Sequence, residues 1–280
     1  MSIQTVTTIL TDIDQAPAQL EAAIGTARAL DAHLHVLALA SGLVDQAAMM
    51  GAALDPIPVS LGVEDSLARA KELGELATTQ LSAEDIRWHV ETAVGSGASN
   101  ATEIARHTRF SDLVVQHRLS GPADQDRTRR LAETVLFESG VPLLLLPDAT
   151  QIAAPPSKVL VSWDESDTAL RAVRQAMPLL TKATYVHVVM VDPPKDAPDR
   201  SDPGGALAQY LSRQGIKCEL SVCNQNDGSI SSTLERRATE LGCGMIVMGA
   251  YGHSRLREAI FGGTTRNILA NATLPVFMAH

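Results

Sequence analysis

Apolar positions in this chain follow two alternating patterns. Consecutive apolar runs, such as Leu34 to Leu39 and Met245-Ile246-Val247-Met248, are separated by stretches where apolar residues return every three or four positions. The runs read as strands covered on both faces, as a parallel sheet requires, and the wider spacing reads as amphipathic helix. Thr8 to Asp14 is an apolar run ending in an acid. Leu20, Ala23, Ile24, Ala27 and Leu30 then keep helical spacing, and His33 to Leu39 forms the next strand pattern. Lys158 to Asp164 repeats the theme, with helical spacing through Leu170, Val173, Ala176 and Leu179 and a strand from Tyr185 to Val191.

This repetition points to two copies of one unit. Asp14 and Asp164 close the matching first strands, and Val141 to Leu146 matches Leu274 to Ala279 near the two ends. The first copy carries extra chain between Ser41 and Leu81, which reads as a loop before a long helix. Asp148 to Pro156 has the composition of a linker. The expected domains are therefore 1–147 and 157–280. The expected fold is α/β: two tandem doubly wound open sheets, each of about five parallel strands flanked by helices.

Composition narrows the function classes. At 45% hydrophobic and 20% charged residues, the chain suits a soluble protein with ordinary cores. No apolar run reaches the roughly 20 residues needed to span a bilayer, and MSIQTVTTIL lacks the pattern of a signal peptide. No membrane association and a cytoplasmic location are expected. A formal net charge of −9 argues against a nucleic-acid surface, and 3% aromatic residues give no stacking platform for bases. Cys218, Cys223 and Cys243 form no C-x-x-C pair and read as structural.

The candidate chemistry lies in the second copy. From Gly249 through Gly252, Gly262 and Gly263 to Thr264 and Thr265, glycines follow the fourth strand and lead into a helix. Bare backbone amides can approach phosphate oxygens there, and a helix start adds unpaired N–H groups and positive dipole. The same glycines can also serve as turn and cap residues with no ligand. There is no Lys after them, so this is not a Walker A loop, and it does not fit G-x-G-x-x-G. A G-x-S-x-G nucleophile elbow and histidines at zinc-site spacing are both missing, so no metal site is expected.

Gly249-x2-Gly252-x9-Gly262, with Asp164 closing the first strand, resembles the signature of universal stress proteins. The resemblance covers nearly all of the second copy and, more weakly, the first. It implies an ATP site. Asp164 and Val191 would hold the adenine and ribose, while Met248, Gly249, Gly252, Gly262, Gly263, Thr264 and Thr265 would hold the ribose and phosphates. Mg²⁺ would be needed to neutralise phosphate charge if the ATP is hydrolysed. Gly263 departs from the family's usual Ser or Thr, removing one hydroxyl while keeping an amide. The resemblance also implies pairing of the two copies through their last strands, or of two chains as a homodimer.

In the first copy the motif glycines map by sequence to Gln116, Leu119, Arg129 and Arg130, so that copy is expected to be silent. Ser99 or Asn100 is expected to cap a helix, and Arg127, Arg129 and Arg130 to form a solvated face. Asp164 can equally cap the helix that follows it. Three functional readings stay open. One is a non-catalytic stress-response protein that binds or senses an adenine nucleotide. Another is a slow ATP hydrolase using His253 or Glu258. The third is a chaperone-like interaction protein that needs no nucleotide.

Overall fold

The computed structural model describes residues 2–41, 59–95, 98–118, 122–147, 154–193, 204–225, 228–252 and 263–280. Among these, the chain alternates strand and helix almost without exception. The first half contains β1 (Thr5–Leu10), α1 (Ala16–Leu30), β2 (His33–Ser41), α2 (Val59–Leu81), β3 (Trp88–Gly95), α3 (Ala98–Thr108), β4 (Leu113–His117), α4 (Pro122–Thr134) and β5 (Leu143–Leu146). A π-helical turn, Val135–Ser139, extends α4. The second half contains β6 (Lys158–Ser162), α5 (Asp167–Leu180), β7 (Tyr185–Val191), α6 (Gly205–Arg213), β8 (Cys218–Cys223), α7 (Ile230–Leu241), β9 (Met245–Gly249), α8 (Thr264–Asn271) and β10 (Val276–Ala279).

The strands form one ten-stranded sheet in the order β3-β2-β1-β4-β5-β10-β9-β6-β7-β8. Each half is parallel throughout, and the second repeats the first in reverse across the sheet. The two expected sheets are thus fused edge to edge. The join is antiparallel, with Phe277 opposite Leu144 and Met278 opposite Leu143. All four of these side chains are buried. This pairing leaves neither β5 nor β10 as an open edge that another chain could extend.

Alternation along the central strands sends side chains to two cores. One contains Leu34, Val36, Val115, Val161, Val247 and Phe277, and helices α1, α2, α5 and α6 cover it. The other contains Leu37, Leu39, Leu160, Ile246 and Met278 under α3, α4, α7 and α8. Both cores run through both halves. Burying a side chain such as Phe277, fully enclosed at the join, contributes about 2–3 kcal/mol. Among the described residues, no helix is long and apolar enough to cross a membrane.

One local expectation changes. Helix α3 begins at Ala98, so Ser99 and Asn100 lie in its first turn rather than at its cap. Gly95, ending β3, sits so close to Asn100 that a Cβ there would meet the Asn100 side chain at 2.1 Å, which explains the glycine.

Candidate functional site

Strand order reverses between β6 and β9: from β6 the chain moves outward to β7, whereas β9 is reached last and lies on the other side. The crevice outside the carboxyl ends of strands at such a switch point is where open α/β sheets take ligands. Two predicted elements end there, Asp164 just past β6 and Gly249 closing β9.

Asp164 organises a turn. Its Oδ1 accepts from the Ser166 amide at 3.1 Å and from the Ser166 hydroxyl at 2.6 Å. The Ser166 Oγ in turn accepts from the Ala169 amide at 3.1 Å, which makes Ser166 the N-cap of α5. The capping role expected of Asp164 therefore belongs to the serine two residues on. Ser166 has the extended backbone a cap needs, and the carboxylate of Asp164 orients it. Glu165, between them, takes a left-handed conformation with φ 64°.

The first turn of α5 then explains two glycines. A Cβ on Gly249 would lie 2.5 Å from the Ala169 nitrogen and 2.7 Å from the Thr168 carbonyl carbon. A Cβ on Gly252 would lie 2.6 Å from Thr168 Oγ1 and 3.2 Å from Ser166 Oγ. Close helix-to-strand approach thus requires Gly249 whether or not a ligand is present. At Gly252 the obstruction is two hydroxyls, so the bare position keeps Ser166 and Thr168 beside the loop. These hydroxyls were not among the predicted site residues. The signal for them was the Ser-x-Thr that follows a strand-ending acid.

The start of α8 joins the same group. Tyr251, itself left-handed with φ 56°, donates its amide to Thr265 Oγ1 at 3.1 Å. Thr265 is buried and braces the loop, while Gly263 forms the N-cap with no side-chain cap bond and Thr264 is half-exposed. Contacts therefore run without a break from Asp164 through Ser166, Thr168, Gly252 and Tyr251 to Thr265.

Met248 and Val191 sit differently from the rest. The Met248 side chain is buried in the core under α7 and α8, so it has only its main chain to offer a ligand. Val191 is half-buried at the end of β7, opposite Cys223 in β8. Burial pushes the thiols of Cys218, Cys223 and Cys243 up, in keeping with structural cysteines. Gly262, His253, Arg255, Arg257 and Glu258 lie outside the described residues.

The corresponding end of the first half is built from other parts. Sheet register places His117 opposite Leu146 just as Gly249 lies opposite Ala279, so the counterpart of Gly249 is His117 and not Gln116. Similarly, Asp12 does the work of Asp164, its Oδ1 accepting from the amide two residues later at 3.0 Å, so Asp14 is not the equivalent acid. Register excludes Asp14 as well: Val6 lies opposite Leu113 as Val159 lies opposite Met245, which sets Thr11 at the place of Asp164, three residues before the acid matched from sequence. Asp12 also pairs with Arg127 at 3.0 Å, and Arg129 pairs with Asp126 at 2.9 Å, so these arginines do more than face solvent.

Comparison with known proteins agrees with the glycine pattern. Residues 156–280 match the model of the universal stress protein family. These residues belong to that family. Universal stress protein Slr1230 of Synechocystis sp. is 26% identical over 145 residues, 51% of this chain and 48% of that protein. The match thus spans about half the length of this relative. Among solved structures, a universal stress protein from Archaeoglobus fulgidus has a TM-score of 0.71 at 17% identity, covering 98% of this chain and 95% of that one. A structure from Pseudomonas aeruginosa, described as of this family, gives 0.55 at 16% identity, covering 99% and 93%. At these identities the likeness is one of fold. It extends the universal stress protein architecture over both halves.

Proposed function

We propose that the chain is a stress-response protein of two units, 1–147 and 157–280, acting in the cytoplasm, and that its second unit binds an adenine nucleotide such as ATP. The carrying observation is the unbroken contact chain from Asp164 to Thr265 across the switch point of β6 and β9. It brings a carboxylate suited to ribose hydroxyls, the hydroxyls of Ser166 and Thr168, and the uncapped amides at the start of α8 to one edge of the sheet.

These groups fit the chemistry of a nucleotide. Phosphate oxygens need donors, which the Gly263 and Thr264 amides and the Thr264 hydroxyl supply at the positive end of a helix dipole. Asp164 and the main chain at Val191 and Met248 would hold the sugar and base, and Gly249, Gly252 and Gly262 would keep side chains out of the phosphate path. Bound Mg²⁺ would neutralise phosphate charge. Binding would be read by partners through the loop that Thr265 braces, with turnover slow or absent.

The test is a calorimetric titration of the full chain with ATP, ADP and AMP, with and without Mg²⁺. Saturable ATP binding, weakened at least about tenfold in Asp164→Ala while the chain stays folded, is the expected result. If no nucleotide binds, the protein acts without one, as an interaction protein. Hydrolysis that disappears in His253→Ala would make it an enzyme.

A further inference from the structure

On the α3 side of the sheet, far from the switch point in the strand order, the fold gathers side chains that lie apart in sequence. His35 on β2, Glu91 on β3 and His107 on α3 point ligand atoms at one another, all within 4.8 Å. His35 Nε2 lies 3.3 Å and His107 Nδ1 2.8 Å from the same Glu91 oxygen, Oε2. Among the described residues these three form a group able to hold a metal ion, which sequence spacing alone did not suggest.

We propose that His35, Glu91 and His107 bind a divalent first-row transition ion, of which Zn²⁺ is the best match. Two imidazoles and one carboxylate are the donor set that Zn²⁺ takes with bonds of about 2.0–2.1 Å, and neighbouring donors of a tetrahedral site then stand about 3.3 Å apart. The two nitrogen–oxygen separations, 3.3 and 2.8 Å, are within about half an ångström of this, and the two imidazole nitrogens lie within 4.8 Å of each other. Mg²⁺ and Ca²⁺ favour all-oxygen sites and fit poorly.

An independent observation points the same way. His35 Nε2 is buried, yet makes no hydrogen bond of acceptable geometry despite the nearby carboxylate. Its other nitrogen, Nδ1, lies 3.4 Å from Thr7 Oγ1, and Ser111 Oγ holds that hydroxyl at 2.6 Å. A proton on Nδ1 therefore leaves the Nε2 lone pair facing Glu91, the arrangement found where a second partner fixes a ligating imidazole. His89 stacks on His35 at 5.8 Å between centroids and resists rotation of the ring.

On the helix, Glu103 Oε2 lies 3.4 Å from His107 Nε2 and can accept its proton once Nδ1 is on the metal. Arg106 competes, with its Nη2 3.0 Å from the same nitrogen. It is exposed and also pairs with Glu103 at 2.9 Å, so it can leave the imidazole and keep the carboxylate. The side chains of His35 and His107 are 14% and 7% exposed while that of Glu91 is 43% exposed. The imidazoles are thus fixed, and the carboxylate side gives an entry path and room for a water as fourth ligand.

The untagged full chain, stripped with a chelator, should be titrated with Zn²⁺, Co²⁺ and Mg²⁺. One equivalent of Zn²⁺ should bind saturably, Co²⁺ should give the visible absorption of a four-coordinate site, and Mg²⁺ should not compete. Glu91→Gln and His107→Ala should each weaken Zn²⁺ binding by about 100-fold, and Glu103→Gln by about tenfold. If His107→Ala does not fold, Glu91→Gln, on a half-exposed position, decides alone. Absence of saturable Zn²⁺ binding, equal affinity for Mg²⁺, or binding that Glu91→Gln leaves intact overturns the site and leaves a carboxylate shared by two histidines.

Discussion

At the carboxyl end of β4 the chain places His117 and Arg118; at the matching end of β9 it places Gly249 and Ala250. The strand register is the same, but what fills the edge is different. In the first half, buried Gln19 accepts from the His117 amide at 2.5 Å and donates to the Val115 carbonyl at 3.0 Å, tying α1 to β4. Arg118 turns across the join to the Ala270 carbonyl at 2.9 Å, and Arg127 pairs with Asp12. In the second half the same edge holds hydroxyls and bare backbone against the first turn of α5. The scaffold is thus the same in both halves, and what differs is whether the end of the fourth strand carries side chains.

The comparison breaks most visibly at the join. Phe277→Ala removes a fully buried ring opposite Leu144 in a core common to both halves, and should cost about 4 kcal/mol in urea denaturation. Each half carries one tryptophan, Trp88 and Trp163. In chains that retain either one, with the other replaced by Phe, the two fluorescence transitions should coincide and shift together in Phe277→Ala. Separate transitions would show that the cores are not coupled.

Gly249→Val should follow, at about 3 kcal/mol, because the new Cβ meets backbone at Ala169 that cannot rotate away. The register-equivalent His117→Val should cost clearly less, and equal losses would remove the contrast between the two strand ends. Gln19→Leu should cost about 2 kcal/mol by taking its acceptor from the buried His117 amide, while the Val115 carbonyl keeps the Thr8 hydroxyl. No counterpart of this loss exists in the second half, where α5 places alanines, Ala169 and Ala172, against the sheet.

The smallest effect is one of pH. All three cysteines lie in the second half, and burial raises each thiol above its ordinary value. Below the ordinary thiol range this has no effect. Above it the unfolded chain ionises first, so stability falls as pH rises towards the folded value. Alkylation of Cys243 in the native protein at pH 8 should be much slower than that of a free thiol. Replacing all three by Ser should flatten part of the alkaline loss of stability.

Most of the architecture was legible because buried parallel strands announce themselves as consecutive apolar runs. Met245 to Met248 fell within a residue of its observed limits, and Val141 to Leu146 began two residues early and ended where β5 ends. The fusion into one sheet rested on family resemblance, since nothing in an apolar strand names its partner. Equivalences at strand ends were less legible. The turn from Thr11 to Gln15 is longer than its counterpart, and only the hydrogen bond it accepts identifies Asp12 as the acid that acts as Asp164 does. At the candidate site, Asp164, Gly249 and Gly252 were readable as a spaced motif. The roles of Ser166 and Thr168 were not, because they depend on how closely α5 approaches β9. His35, Glu91 and His107 are separated by 56 and 16 residues and meet only because β2, β3 and α3 are neighbours.

The antiparallel seam between β5 and β10 carries an evolutionary freedom. Two separate molecules joined about a twofold axis must present one surface to itself, so any change there is made twice. Here the partners are permanently tethered, and their local concentration does not fall on dilution. Tyr251 can reach Glu133, and Arg118 can reach Ala270, with no reciprocal contact required. Each flank can therefore mutate on its own account, which lets the two copies diverge at their strand ends.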